Sequence, residues 1–499
     1  MRAPLVMTAI TGRFWAPLLC GALAGLGQAP INWGVITLVG FVCAYHLFQA
    51  ATDANSALRL GWVFGLGYFA VSLHWIVEPF LVDVAATGWM APFALFFLAA
   101  GLAVFWAAAG WLAFRLGRDV VLWACCMALA ELARAYVFTG FPWAMPSYAW
   151  INSPIVLGAA WIGPHGLNTV LFLAAGGLAV FLGTPLRRPR LWVLLIPITL
   201  SFAPAPRLEM PQDGPTIRLV QPNAPQHQKW DRDFVEVFYQ RQLDFTAQAG
   251  DPNFVIWPES AVVDPIPYAD GRLREMASLA GNAQVVTGIQ RIDGALSYNS
   301  LVTLSPTGDV EQIYDKRHLV PFGEYIPLGS WLSGLGLKGL AASDGAGFAR
   351  GIGPHAIALD GIGAVLPLIC YEVVFPQNMR STTRPRLLLQ LTNDAWFGEF
   401  SGPYQHLAQA RMRAIETGVP MIRVANTGVS AVIDARGRVV ASIPLGQAGY
   451  LDTKLPSERP ETLYAKLGDR PFGAIIVVLT LLAVLRARRK TVDGSVRQT

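Results

Sequence analysis

The sequence is poor in charge. Asp, Glu, Lys and Arg make up 14% of it, where a soluble protein carries about 25%. That excludes a wholly water-exposed fold of ordinary composition. Of the five cysteines, Cys20, Cys43, Cys125 and Cys126 lie in long apolar segments. Only Cys370 falls in polar surroundings, so no disulfide framework is available there. No Walker loop, dinucleotide fingerprint or low-complexity tract is present, and the glycine-rich stretches do not open a helix after a strand. Ser260 sits in PESA and not in a G-x-S-x-G elbow, which argues against a serine hydrolase. The seven histidines are scattered without metal-ligand spacing, and His406 reads as a structural histidine on a helix. The formal charge of +5 is spread over loops and the C-terminal tail with no basic block among aromatics, so no nucleic-acid partner is expected.

What is abundant is apolar surface, 53% of residues, with 16 tryptophans suited to membrane interfaces. Apolar segments near 14–29, 31–50, 60–77, 89–114, 119–137, 163–183 and 189–204 are each long enough, or nearly so, for a membrane helix. Another at 471–485 is followed by Arg486, Arg488, Arg489 and Lys490. The first has no small-x-small processing site before the next begins and reads as a retained anchor. Arg2, Arg13, Arg59, Arg115, Arg118, Arg187, Arg188 and Arg190 fall before the first segment and in every second loop after it, all on one side, and the intervening loops carry little beyond Glu78 and Asp83. The positive-inside rule then predicts cytoplasmic N- and C-termini and an extracytoplasmic polar region. The expected organisation is a seven-helix transmembrane domain over 1–205, one catalytic domain over 206–467, and a last transmembrane helix with a basic tail over 468–499. The prolines and aromatics of GFPWAMPSYAWINSPI (140–155) predict an outer-leaflet interfacial loop.

The polar region alternates strand and helix patterns. TIRLVQPN, NFVIWPES and QVVTGIQ read as strands, with helices in 231–250 and near 271–280. SYNSLVTLSPTGDVEQIYDK reads as a strand pair, VLPLIC and RLLLQLTND as buried strands, and PYQHLAQARMRAIETG as a helix before a final strand and hairpin. The pattern predicts a mixed-sheet α/β domain faced by helices. Three strands end on polar residues a core would not choose: Glu259, Lys316 and Cys370. Singly each has a plain reading: a surface carboxylate, a solvated DKRH cluster, a core thiol. Together they offer a base, a cation for an oxyanion and a soft nucleophile for acyl transfer.

Those residues, in WPES, YDKRHLVPFGEYIPL and ICYE, resemble the Glu–Lys–Cys triad of the nitrilase superfamily. With NDAWFG, GPYQHLAQARMRAIE and ANTGVSAVID they are similar in detail to the apolipoprotein N-acyltransferase family, and the resemblance covers essentially the whole chain. It implies a bundle of eight transmembrane helices plus one α/β domain of αββα nitrilase-like form, with Glu259 as base, Lys316 stabilising the tetrahedral intermediate and Cys370 as nucleophile. It implies a second carboxylate at Glu324, supporting roles for Tyr371 and Glu372, a tryptophan near the site entrance at Trp230, and Asn393 and Trp396 beside the site. Val419 departs from it, standing where an arginine is expected.

The function implied is transfer of the sn-1 acyl chain of a phospholipid, phosphatidylethanolamine by the resemblance, through a cysteine thioester. The acceptor would be the α-amine of the S-diacylglyceryl cysteine of an apolipoprotein. A monomeric inner-membrane enzyme with no metal or organic cofactor is expected. The Leu-, Gly- and Trp-rich stretch 326–343 reads as an arm dipping toward the bilayer. The alternative is a membrane-anchored nitrilase-type amidase hydrolysing a small amide. A transporter with a non-catalytic sensor domain would instead line its spans with ionisable residues, which here are few and mostly near the ends.

Overall fold

A computed structural model describes residues 14–183, 214–327 and 347–496, with side chains to residue 485. The apolar segment at 189–204, the arm at 326–343 beyond residue 327, and the arginines at 2, 13, 187, 188 and 190 lie outside the described residues. So do the side chains of the basic tail from residue 486. The chain forms two compact units, one of 1–80, 86–206 and 466–499, the other of 207–465 with 81–85.

The first unit is helical. Helices Trp15–Gly25, Gly34–Gln49, Ala54–Ser72, Ala91–Leu116, Val120–Tyr136, Ala159–Leu182 and Arg470–Val496 occupy the expected apolar positions other than 189–204. By length and composition, two among the described residues suffice to cross a membrane: Val84–Leu116 and Pro154–Leu182. A third is added if Ala54–Ser72 and His74–Leu81, bent by 64°, form one broken span. The third helix starts six residues before the expected 60 because Asp53 caps it, accepting from Ser56 N at 2.8 Å. Small residues bring backbones together: a Cβ on Gly21 would lie 1.9 Å from Phe64 O, and one on Gly67 2.1 Å from Leu18 O.

The 140–155 segment differs from expectation. It forms the short turns Pro146–Trp150 and Pro154–Gly158, with Trp143, Met145 and Tyr148 buried rather than interfacial. The reason is backbone hydrogen bonding. Arg134 donates to the carbonyls of Phe141 and Trp143, Tyr68 Oη to Ala144 O at 2.9 Å, and Gln28 Nε2 to Met145 O at 3.0 Å. Glu131 neutralises Arg134 at 2.7 Å and accepts from Trp106 Nε1 at 2.8 Å.

The second unit is α/β with two six-stranded sheets. Along the chain the strands are β1 Thr216–Gln221, β2 Phe254–Ile256, β3 Gln284–Asp293, β4 Leu296–Leu304, β5 Val310–Asp315 and β6 Ile357–Leu359. They continue with β7 Gly363–Ile369, β8 Leu387–Thr392, β9 Met421–Ala425, β10 Ser430–Ile433, β11 Val439–Ile443 and β12 Gly449–Lys454. The sheet orders are β12-β1-β2-β3-β4-β5 and β11-β10-β9-β8-β7-β6. In the first, β1, β2 and β3 are parallel; in the second, β7, β8 and β9 are parallel. The remaining pairs are antiparallel.

Helices Val235–Thr246 and Asp270–Ala280 cover the first sheet through a core of Val220, Tyr239, Leu243, Val255, Trp257, Met276 and Val302. Alternate residues of the same strands, Leu219, Ile256 and Val286, are equally buried on the opposite face. Burial on both faces produces the near-continuous apolar runs. Helix Gly402–Thr417 packs on β9. Strands β6 and β12 were not expected: β6 is three residues long, and β12 is a half-exposed edge, GYLDTK, lacking an apolar signal.

Candidate active site

Glu259 follows β2, Cys370 follows β7 and Asn393 follows β8, so the site gathers at the carboxyl ends of parallel strands. Lys316 continues β5, with its N–H donating to Asn299 O of β4 at 2.8 Å. Buried carboxylates and an ammonium meet here. Lys316 Nζ donates to Glu324 Oε1 at 2.8 Å and lies 3.5 Å from Glu259 Oε1. Asn299 Nδ2 donates to Glu259 Oε1 at 2.8 Å and to Glu324 Oε1 at 3.2 Å. Glu259 Oε2 accepts the Asn393 N–H at 2.7 Å, and Glu324 Oε2 accepts the Val320 N–H at 2.9 Å. Lys316 is 1% exposed. Burial opposes its charge, but Glu324 and then Glu259 hold it well above the usual lysine range, so it stays an ammonium.

Cys370 sits in a left-handed conformation, φ +49°, at the start of the turn Cys370–Val374. That backbone costs a non-glycine residue roughly 1–3 kcal/mol and persists only where the surroundings fix it. Burial pushes the thiol up from its ordinary value and Glu259 adds to this; Lys316 and a hydrogen bond from Thr392 act the other way. The resting sulfur is therefore a thiol, with a carboxylate, an ammonium and a hydroxyl around it.

Two buried networks fix that turn. Glu372 accepts from Ile369 N and Arg317 N, each at 2.8 Å, from His318 N at 3.2 Å and from Tyr314 Oη at 3.1 Å. It thereby ties the cysteine turn to the residues after Lys316, while burial pushes its own carboxyl up. Behind the turn, Arg423 Nη1 donates to Gln390 Oε1 at 2.7 Å, which fixes the amide orientation. Gln390 Nε2 then faces Cys370 O and His406 Nε2, both at 3.3 Å. Burial, then Arg423, hold His406 below its ordinary value; its Nδ1 lies 2.9 Å from Asp394 Oδ1 and its Nε2 3.1 Å from Cys370 O, the ring's tautomer setting which of the two it donates to. Asp394 pairs with Arg423; burial works against its charge, but Arg423 and His406 hold it down at about 2.

The other expected residues are placed less centrally. Tyr371 packs edge-on against Phe375 with ring centroids 4.9 Å apart. Trp230 is 43% exposed, its ring 5.3 Å from Lys229 Nζ. Trp396 is half-buried in the turn Asp394–Phe397, and Val419 is buried before β9. Asn299, Lys229, Gln390, Thr392, Asp394 and Arg423 were not singled out from sequence. Asn299 carried a faint signal, being a polar residue in the strand SYNSLVT that takes the place of a core side chain.

Residues 217–463 match the carbon-nitrogen hydrolase family, and residues 20–177 match the apolipoprotein N-acyltransferase N-terminal domain. The α/β unit is thus of the carbon–nitrogen hydrolase class. Relatives called apolipoprotein N-acyltransferase align over most of their length. The one from Caulobacter vibrioides is 38% identical over 96% of this chain and 95% of its own, and that from Rhodopseudomonas palustris 36% over 94% of each. That from Brucella melitensis is 36% identical over 95% of this chain and 94% of its own. The chain belongs to the apolipoprotein N-acyltransferase family. A solved structure from Xanthomonas campestris, a CN-hydrolase superfamily protein, is similar at 22% identity and TM-score 0.37, covering 53% of this chain and 97% of that one.

Proposed function

We propose that the protein transfers an acyl chain from a phospholipid to the α-amine of a diacylated apolipoprotein by way of a Cys370 thioester. The observation that carries this is the strained, buried Cys370 with Glu259 and Lys316 as its charged neighbours, in a chain that aligns over its length with the family. In the first half-reaction Glu259 takes the Sγ proton and the thiolate adds to the sn-1 ester carbonyl. Lys316 balances the oxyanion, with Glu324 and Asn299 holding its ammonium and the base in place. Collapse forms the thioester, and Glu259 returns its proton to the departing lysophospholipid oxygen. In the second half-reaction the amine adds to the thioester, Glu259 accepts the amine proton, and the thiolate leaves and is reprotonated by it. An amide-linked third chain results, and protons balance over the cycle.

The finer assignments are part of this reading. They are an inner-membrane protein of eight spans with cytoplasmic termini and a periplasmic catalytic domain over 206–467, phosphatidylethanolamine as donor, and a monomer. Apolar helices at the expected positions and the alternation of loop charge support the topology.

Transfer of a fluorescent phospholipid chain to a diacylated lipopeptide tests the function. Wild type is expected to transfer, and Cys370→Ala, Glu259→Gln and Lys316→Ala to lose activity by at least about a thousandfold, as removal of a nucleophile or its partners does. Undiminished transfer by Cys370→Ala overturns the reading. Release of free fatty acid or of ammonia from small amides, with no lipopeptide product, would favour the amidase instead.

A further inference from the structure

The cluster around Glu259 is unbalanced. Two carboxylates, Glu259 and Glu324, share the single ammonium of Lys316. A second buried amine stands beside them. Lys229 lies in the turn after β1, where its N–H closes on Pro225 O at 2.9 Å. Its side chain is 7% exposed, and Nζ donates to the backbone carbonyl of Glu259 at 3.0 Å. It lines a small cavity with Asn426 and with Pro258 and Ser260, the two neighbours of Glu259 in sequence. A lysine buried against one carbonyl is a poor way to fill a core, since an apolar side chain of that length packs without a desolvation cost.

We propose that Lys229 is a positioning residue for the reaction, the second cation that brings the buried cluster to neutrality and favours the proton-accepting form of the base. The role rests on the reading of Glu259 as that base. The charged groups near Glu259 are then Lys316, 3.5 Å from its Oε1, Lys229, which reaches its backbone carbonyl, and Glu324 on the same Lys316, with the thiol of Cys370 as the group to be deprotonated. Asn299 and the Asn393 N–H contribute uncharged donors. Of the other carboxylates near Cys370, Glu372 is held by backbone donors and Asp394 by Arg423. Burial pushes Lys229 down to about 8 against the pull of Glu259, which leaves it charged at neutral pH.

The test is the pH dependence of Cys370 acylation in the full-length protein in phospholipid–detergent micelles, read as the mass of the acylated Cys370 peptide. Lys229→Met is expected to shift the acid edge of the profile upward by about one pH unit, a tenfold loss of rate at pH values below it, as removal of a nearby opposite charge does. Lys229→Arg is expected to return the edge toward wild type. Lys229→Gln replaces the methionine variant, scored the same way, should that variant not be recovered folded. A rate lowered equally at every pH, or an arginine variant no better than methionine, overturns the charge-balancing role. Glu259→Gln separates the two claims. If it acylates Cys370 like wild type, the reading of the base fails. If it is silent while the Lys229→Met edge stays in place, only the inference about Lys229 fails.

Discussion

Each unit of the molecule buries an arginine–carboxylate pair at 0–1% exposure, and the two are put to different ends. In the helical unit, Arg134 and Glu131 spend their hydrogen bonds on Trp106 Nε1 and the carbonyls of Phe141 and Trp143. Every partner is a fixed piece of protein, and the pair pins a proline-broken loop that cannot satisfy its own backbone. In the α/β unit, Arg423 and Asp394 hold Gln390 and His406 against the carbonyl of a residue kept at φ +49°. There the network ends on a thiol that has a carboxylate and an ammonium beside it. Burial of charge does not by itself mark a site. What marks it is where the chain of partners ends: on backbone in the first unit, on a strained nucleophile in the second.

Three substitutions sharpen that contrast, ordered by expected loss of turnover. Asn299→Ala removes the amide that bridges Glu259 and Glu324, and misplacing the base is expected to cost about a hundredfold in acylation rate. Stopped acylation assays read this, and thermal unfolding reads the accompanying loss of about 1–3 kcal/mol from the buried carboxylates left without the amide. Gln390→Met keeps the side-chain volume but removes the amide that faces Cys370 O and His406 and that accepts from Arg423 Nη1. It is expected to slow acylation about tenfold and, by leaving the buried Arg423 Nη1 without its acceptor, to cost about 1–3 kcal/mol of stability. A variant as fast as wild type would show that Cys370's backbone is held without Gln390. Arg134→Met belongs at the other end. It is expected to destabilise the helical unit by about 3–5 kcal/mol, as breaking a buried pair does, with turnover per folded molecule unchanged. Denaturant titration in detergent reads the first quantity, and activity normalised to folded protein the second. A turnover defect at full folding would give this pair a part in the chemistry and dissolve the contrast.

The sequence made the ends of strands visible. Glu259, Lys316 and Cys370 each stand where an apolar run stops on a residue that a core rejects, and Glu324 follows in the same motif as Lys316. The residues that orient them were not visible for a physical reason. Asn299 reaches Glu259 across 40 positions of sequence, Lys229 reaches it across 30, and Gln390 reaches Cys370 across 20. Each sits within a strand or turn whose pattern is complete without it, so only the third dimension assigns its partner. The same holds for β12, an edge strand recognised by its pairing with β1 rather than by apolar periodicity. The buried loop at 140–155 was read from its own composition as interfacial. Its aromatics turn inward because Arg134, Tyr68 and Gln28, on three separate helices or turns, supply the donors its carbonyls need.

The central claim is that Cys370 carries the acyl chain between donor and acceptor. Purified wild-type protein incubated with phospholipid and no lipopeptide, then digested and weighed, tests it most directly. One long-chain acyl group is expected on the Cys370 peptide, released on adding diacylated lipopeptide and matched by an equal gain of amide product. Lipopeptide acylated at full rate while the Cys370 peptide stays unmodified at every time point, or a chain found on Ser260 instead, would contradict it.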